Sequence, residues 1–457
     1  MEATAIGSGT SMGSSPVARF RLRLAQPARL SAVLASISAT GILVNLAYQW
    51  YVLTRVGPGS QTDALFAGMM VPQFILAVVA GSLSYVLVPV LATEGDGARG
   101  RLAWTLFQGM GFFWGSLAAL LIALAPLWVP LTVPGFDSAT TRLTVELTRI
   151  QLVGLVFTGI AGIQAAAFQA RHRFLAAEAA PLVAALVGFG FVIWGLPRMG
   201  ITAAAWAAVV RGACQTALQL PALGRYYPPA RHPGLRRAWL RLVPLMSGAS
   251  YYKADGLVDR LLASLGPAGG LSLYHLSLQL YASAHTVMNR AIVAPAVPRL
   301  ARTSATGQWR DFSRLSRQRL RLMVLISLAG VAVLILAGRP LLSALLGHGQ
   351  FTDARIGELW WILLLLSGVW VGGAAGQVLA TSFYASGDTR TPTRIGVIGF
   401  TVAIGLKLLA FWYFGLLGLA VAASLYYLGN TVALLLTLRR DLRRARVPED
   451  MRIAAVS

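Results

Sequence analysis

Charge is scarce in this sequence, and lysine is almost missing. Of 457 residues, 12% are charged and 56% hydrophobic, with a mean hydropathy of +0.66. A soluble domain carries roughly 25% charged residues, so the shortage excludes a soluble globular chain. A single cysteine, Cys214, excludes a disulfide framework and a CxxC metal site. The five histidines (172, 232, 275, 285 and 348) have no ligand spacing. No Walker sequence, nucleophile elbow or zinc motif is present, so no enzyme, metal or cofactor is expected. Acidic residues are few, 16 against 39 lysines and arginines, for a net charge of +23. In a soluble protein that balance suggests nucleic acid. In a membrane protein it places arginine-rich loops against anionic lipid, which is the partner expected here, and nucleic acid is not.

Long apolar runs are what the chain has instead. A helix crosses the bilayer with about 20 apolar residues. Twelve segments qualify, at roughly 31–54, 64–92, 103–128, 144–169, 175–196, 200–223, 237–264, 271–298, 319–346, 357–385, 392–414 and 417–437. No alternating pattern suggests a barrel, so the spans are predicted as helices. Arginines crowd alternate loops, for example Arg171 and Arg173, or Arg310, Arg314 and Arg317. The intervening loops, such as "VGPGSQT" and "LGPAGG", are short and nearly uncharged. That alternation predicts a multi-pass membrane protein with both termini cytoplasmic. Residues 1–28, Gly/Ser-rich and then basic, have no signal-peptide pattern and are expected to form a flexible tail. Spans 1–6 fill 29–224, a linker 225–236, spans 7–12 237–438, and a second basic tail 439–457.

The two sets of spans repeat. At an offset of 209, Gly57-Pro58 falls on Gly266-Pro267, and Val88-Pro89 on Val297-Pro298. Further on, "FQA" (168–170) ends span 4 as "FYA" (383–385) ends span 10. The expected fold is therefore all-α: twelve transmembrane helices in two parallel six-helix lobes around a central cavity, an architecture that works by alternating access.

Several stretches resemble the MurJ/MviN lipid II flippase family. They are "GPGSQTDALFAGMMVPQF" with "SLSYVLVPVL", "AAAWAAVV" and "LQLP", "GRPLLSALLGHGQFT", and "FYASGDTRTPTRIGVI". The resemblance, over about residues 38–437, implies the fold of the multidrug/oligosaccharidyl-lipid/polysaccharide exporter superfamily. It also implies transbilayer movement of an undecaprenyl-pyrophosphate-linked saccharide. Family members usually carry two further C-terminal helices, for which this sequence has no apolar run after span 12. The resemblance implies an Arg-Asp pair in span 1, which falls here on Tyr48 and Gln49, and cavity arginines in spans 2 and 8, which fall on Leu76 and about Leu278.

A pyrophosphate needs cations, and ionisable groups inside a membrane usually face a bundle interior or a water-filled cavity. The candidates for the cavity are Arg211 in span 6, Lys253 and Arg260 in span 7, and Arg290 in span 8. Each could instead snorkel or sit in a structural ion pair. Asp255 and Asp259 are four residues apart and share a helix face, while Lys253 and Arg260 point elsewhere, so their partner is expected from another helix. The resemblance implies a sodium site between spans 7 and 11 in some members. Its span 11 positions are Ala403 and Lys407 here, so Lys407 is expected to pair with Asp255 or Asp259, as a coupling element or as a structural pair. His275 and His285 are candidates for a proton relay or polar lining. Asp63 reads as a cap for its own helix, and Gly372, Gly373 and Gly376 as a packing face.

The expected function is thus a flippase for lipid II or a related cell-envelope precursor. An O-antigen or exopolysaccharide flippase and a non-transporting scaffold for cell-envelope synthesis proteins are the alternatives. A drug/cation antiporter would want carboxylates in spans 1–3, and none lies at mid-membrane.

Overall fold

The computed structural model describes residues 16–228, 250–251 and 253–445. Most of the expected linker, the first part of span 7 and the outer ends of both tails lie outside the described residues. Within them, all regular structure is helical. The helices are α1 (Pro16–Val56), α2 (Ser60–Gly68), α3 (Met70–Ala92), α4 (Asp96–Thr132), α5 (Ser138–Ala170), α6 (Phe174–Met199) and α7 (Thr202–Gln219) in the first half. The second half has α8 (Asp255–Ser264), α9 (Gly270–Met288), α10 (Val297–Ala305), α11 (Trp309–Leu346), α12 (Asp353–Leu365), α13 (Ser367–Ala385) and α14 (Arg390–Ala445). Pro16 opens α1, where its fixed φ suits a first turn. Residues 16–28, expected as part of a flexible tail, are therefore helical.

Among the described residues, eight helical stretches are long and apolar enough to cross a membrane: 33–56, 60–79, 97–132, 138–170, 174–199, 309–346, 353–385 and 390–443. The last covers two expected spans. Its 56-residue helix is broken only at Gly415 (φ 58°, ψ −141°), a conformation open to glycine at little cost.

Close backbone approach explains several apolar helices. A Cβ on Gly372 of α13 would lie 2.8 Å from the Tyr427 backbone of α14, so this glycine allows the two helices to touch. Thr431 Oγ1 donates to Gly372 O across the same seam at 2.6 Å. In the first half Thr216 Oγ1 donates to Phe157 O at 3.0 Å. Both pairs span 59 residues, so the sequence repeat reappears as a repeated helix contact.

One buried cluster joins both halves, with Leu53, Phe66 and Leu147 beside Tyr274, Leu359 and Leu419. The halves meet at the uncharged loops. Trp50 Nε1 donates to Leu345 O at 2.6 Å, and Gln350 N to Thr54 O at 2.9 Å.

Candidate functional site

A cavity of about 350 Å³ lies where α1, α3, α5, α6 and α7 meet α9. Its polar wall is mostly neutral, with Asn45, Gln49, Gln73, Gln151 and Gln279. Arg211 is the one arginine among the described residues lining it, and no carboxylate is among them. Around Arg211 the sequence of α7 is Ala, Val and Gly, so the guanidinium reaches across to α1, where Nη1 donates to Asn45 Oδ1 at 2.6 Å. Gly188 of α6 makes room for the stem: a Cβ there would come 3.1 Å from Arg211 Cβ. A second guanidinium approaches from the other half. Arg260 Nη2 of α8 donates to Gln73 Oε1 at 2.6 Å and lies 3.4 Å from His275 Nδ1. Gln73 and His275 both line the cavity.

A second cavity, about 420 Å³, lies within the second half and is lined by Lys253, Asp255, Asp259, Leu278, Tyr426 and Tyr427. Lys407, with 0% of its side chain exposed, pairs with both aspartates of this lining. Nζ is 2.5 Å from Asp255 Oδ1, to which it donates a hydrogen bond, and 2.6 Å from Asp259 Oδ1. The four-residue spacing turns both carboxylates toward α14, where the ammonium also sits 5.6 Å from the Tyr426 ring centroid.

The family model described as "Lipid II flippase MurJ" matches residues 53–454. The chain belongs to the lipid II flippase MurJ family. It is a flippase family, not an enzyme family. The lipid II flippase MurJ of Burkholderia cenocepacia is 24% identical over 376 residues, covering 78% of this chain and 72% of the relative. The probable lipid II flippase MurJ of Vibrio cholerae is 24% identical over 421 residues, covering 86% and 79%. Among solved structures, "Lipid II flippase MurJ, inward closed conformation" aligns with a TM-score of 0.80 at 16% identity, covering 91% of this chain and 90% of that one. An inward-facing multidrug resistance MATE transporter aligns at 0.74 and 14% identity, covering 89% and 95%. At these identities the likeness shows the fold.

Tyr48, Gln49 and Leu76, where the resemblance implies an Arg-Asp pair and an arginine, line the cavity without charge, while Arg211 lines it from α7 and Arg260 of α8 reaches Gln73 on its wall. Leu278 faces the second cavity instead. Not every candidate joins the site. Arg290 is exposed in a π-helical turn, Asn289–Val293, and is not among the cavity's lining residues: it lies fifteen residues, about 22 Å of helix, past His275. Lys253 lines the second cavity rather than the first. Its Nζ donates to Ala77 O of α3 at 2.5 Å, tying α8 to the first half. The two histidines are not brought together. His275 stacks on Phe66 at 4.4 Å, whereas His285 stacks on Trp370 at 5.0 Å and bonds the Trp370 carbonyl at 2.8 Å. Each has its own packing partner, so the described contacts form no relay between them.

Asp63 does more than its sequence position suggests. It is 2% exposed and caps α9 of the other half. Oδ2 accepts from Gly269 N at 2.6 Å, and Oδ1 accepts from Ser272 N at 2.8 Å and Ser272 Oγ at 2.5 Å. Gly269 (φ 89°) must be glycine here, since a Cβ would lie 2.7 Å from Pro58 O. Asp63 and Ser272 are 209 residues apart, the repeat offset itself. Repeat-equivalent positions thus meet across the two halves; the offset relates them in sequence without saying that they touch. Hydrogen bonds to a charged acceptor contribute about 1.5–3 kcal/mol each. In a Cys214→Ser background with the buried Leu271 changed to Cys, Asp63→Ala is therefore expected to raise labelling by a membrane-impermeant thiol reagent at least about tenfold. Unchanged labelling would show that this contact does not hold the halves together.

Proposed function

We propose that this chain moves an undecaprenyl-pyrophosphate-linked saccharide, lipid II or a related envelope precursor, across the bacterial inner membrane. The observation that carries this reading is the placing of Arg211 in, and Arg260 beside, a cavity whose other polar lining is mostly neutral amides, in a chain of the MurJ family. A guanidinium fork matches phosphate oxygens bidentately. A carboxylate-free wall favours an anionic cargo over the cations that an antiporter would carry.

Transport follows an alternating-access scheme between two six-span lobes with both termini cytoplasmic. The repeated Thr–carbonyl seams and the contacts of Asp63, Trp50 and Gln350, which join the two halves beside the uncharged loops, support this scheme. Lys407 supplies a tethered ammonium to Asp255 and Asp259, so this cluster is satisfied without a bound sodium ion. In cells depleted of their own lipid II flippase, expression of this chain is expected to restore growth. A chain that reaches the membrane at the level of the native flippase and restores none overturns the lipid II assignment.

A further inference from the structure

A third cavity carries charge that the transport route leaves unused. It measures about 390 Å³ and lies between the N-terminal turns of α11 and the last turns of α14. Arg317 and Arg321 line it from one helix, Arg439 and Arg443 from the other, and its floor is made by buried Leu379 and Leu438. None of the four arginines belongs to an ion pair among the described residues, and no carboxylate is among those lining this cavity. The helices that present them are held firmly. Ser316 Oγ and Ser382 Oγ hydrogen-bond beneath the floor at 2.9 Å, and Arg317 Nε donates to Ser313 O at 3.2 Å. The Arg317 Nη groups project beyond that bond.

The position along α11 decides what such a site can hold. Upstream of it the helix reads "WRDFSRLSRQR"; from Leu322 onward it is apolar for the rest of a bilayer-spanning length. A neighbouring groove shares Arg317 and Arg321 and ends on Leu322 and Leu325, which are 39% and 65% exposed. Asp311 is the one described carboxylate along that groove. Four guanidinia at the edge of the apolar zone, over a leucine floor that continues toward hydrocarbon, match a headgroup with attached acyl chains. A soluble acidic protein would not need the apolar continuation.

We infer that Arg317, Arg321, Arg439 and Arg443 form a binding site for the phosphate headgroup of an anionic membrane phospholipid, separate from the transport cavity. The guanidinium forks take the phosphate oxygens, and the acyl chains follow Leu322 and Leu325 into the bilayer. The site sits on the two helices that end the second half, where a bound lipid would cross-link them.

The purified full chain in detergent, titrated with phosphatidylglycerol or with phosphatidylcholine of the same acyl chains, tests this by native mass spectrometry. The wild type is expected to retain phosphatidylglycerol at least about tenfold more tightly. R317Q/R321Q/R439Q/R443Q is expected to abolish that preference, and the corresponding four Arg→Lys changes to keep most of it. R171Q/R173Q/R390Q/R394Q, which removes as much charge from other basic loops, should leave the preference intact. If the four Gln changes prevent folding, Arg317→Gln and Arg439→Gln singly should each lower the preference several-fold. A preference that survives at all four positions, or that falls equally in the control, overturns the site. Displacement of the lipid by excess inorganic phosphate or by polyglutamate overturns it too, pointing to a free anion or an acidic protein instead.

Discussion

Lys407→Met is expected to be the most damaging single substitution in this protein, destabilising the fold by about 3–5 kcal/mol. The side chain is fully buried and lies between two carboxylates at 2.5 and 2.6 Å. Removing the ammonium strands both acids in a low-dielectric interior, where an uncompensated charge costs far more than the intact pair contributes. Neutralising the acids as well should relieve the strain. Lys407→Met with Asp259→Asn should recover more than Lys407→Met with Asp255→Asn, because the Asp259 side chain is 4% exposed against 13% for Asp255. The triple change should approach wild-type stability. Thermal unfolding of the purified variants in detergent reads the order. A double variant no better than Lys407→Met alone would remove the pairing as the source of the effect.

Arg211→Gln should lower transport about 10–100-fold while leaving the amount of folded protein unchanged, since a hydrogen bond involving a charged group contributes about 1.5–3 kcal/mol. The guanidinium is exposed within the cavity and its one described polar partner, Asn45 Oδ1, is neutral, so its loss leaves no buried charge behind. Arg211→Lys should restore only part of the rate, because an ammonium supplies a point charge without the planar fork. Arg290→Gln, outside the cavity, should transport at the wild-type rate. Flux of labelled lipid II in proteoliposomes separates these outcomes. A wild-type rate for Arg211→Gln would remove this residue from the substrate path.

Much of this protein is legible along the chain because the membrane imposes one-dimensional rules. Apolar length reports a helix, arginine placement reports the loops, and a constant offset reports the repeat. The i, i+4 spacing of Asp255 and Asp259 likewise says that one outside cation must serve both, since it puts them on one helix face. Spacing within a helix could not rank the other charges, since it says nothing of which neighbouring helix a face meets. Arg211 and Arg290 look alike in sequence, yet one bonds Asn45 at the cavity and the other is exposed away from it. His275 and His285 lie ten residues apart, and the packing of Phe66 and Trp370 sends them into different surroundings.

The sequence by itself determined that the chain is a membrane-spanning helical protein with an internal repeat, a basic loop face and an acidic pair in need of a lysine. Each of these depends on hydrophobic length, charge count or helical period, which are local quantities. Only the tertiary structure decided that Asp63 caps a helix of the other half, that Arg260 reaches Gln73, and that Arg211 of α7 meets Asn45 of α1 at the cavity. These partners are set by how helices and halves dock, which no local period encodes.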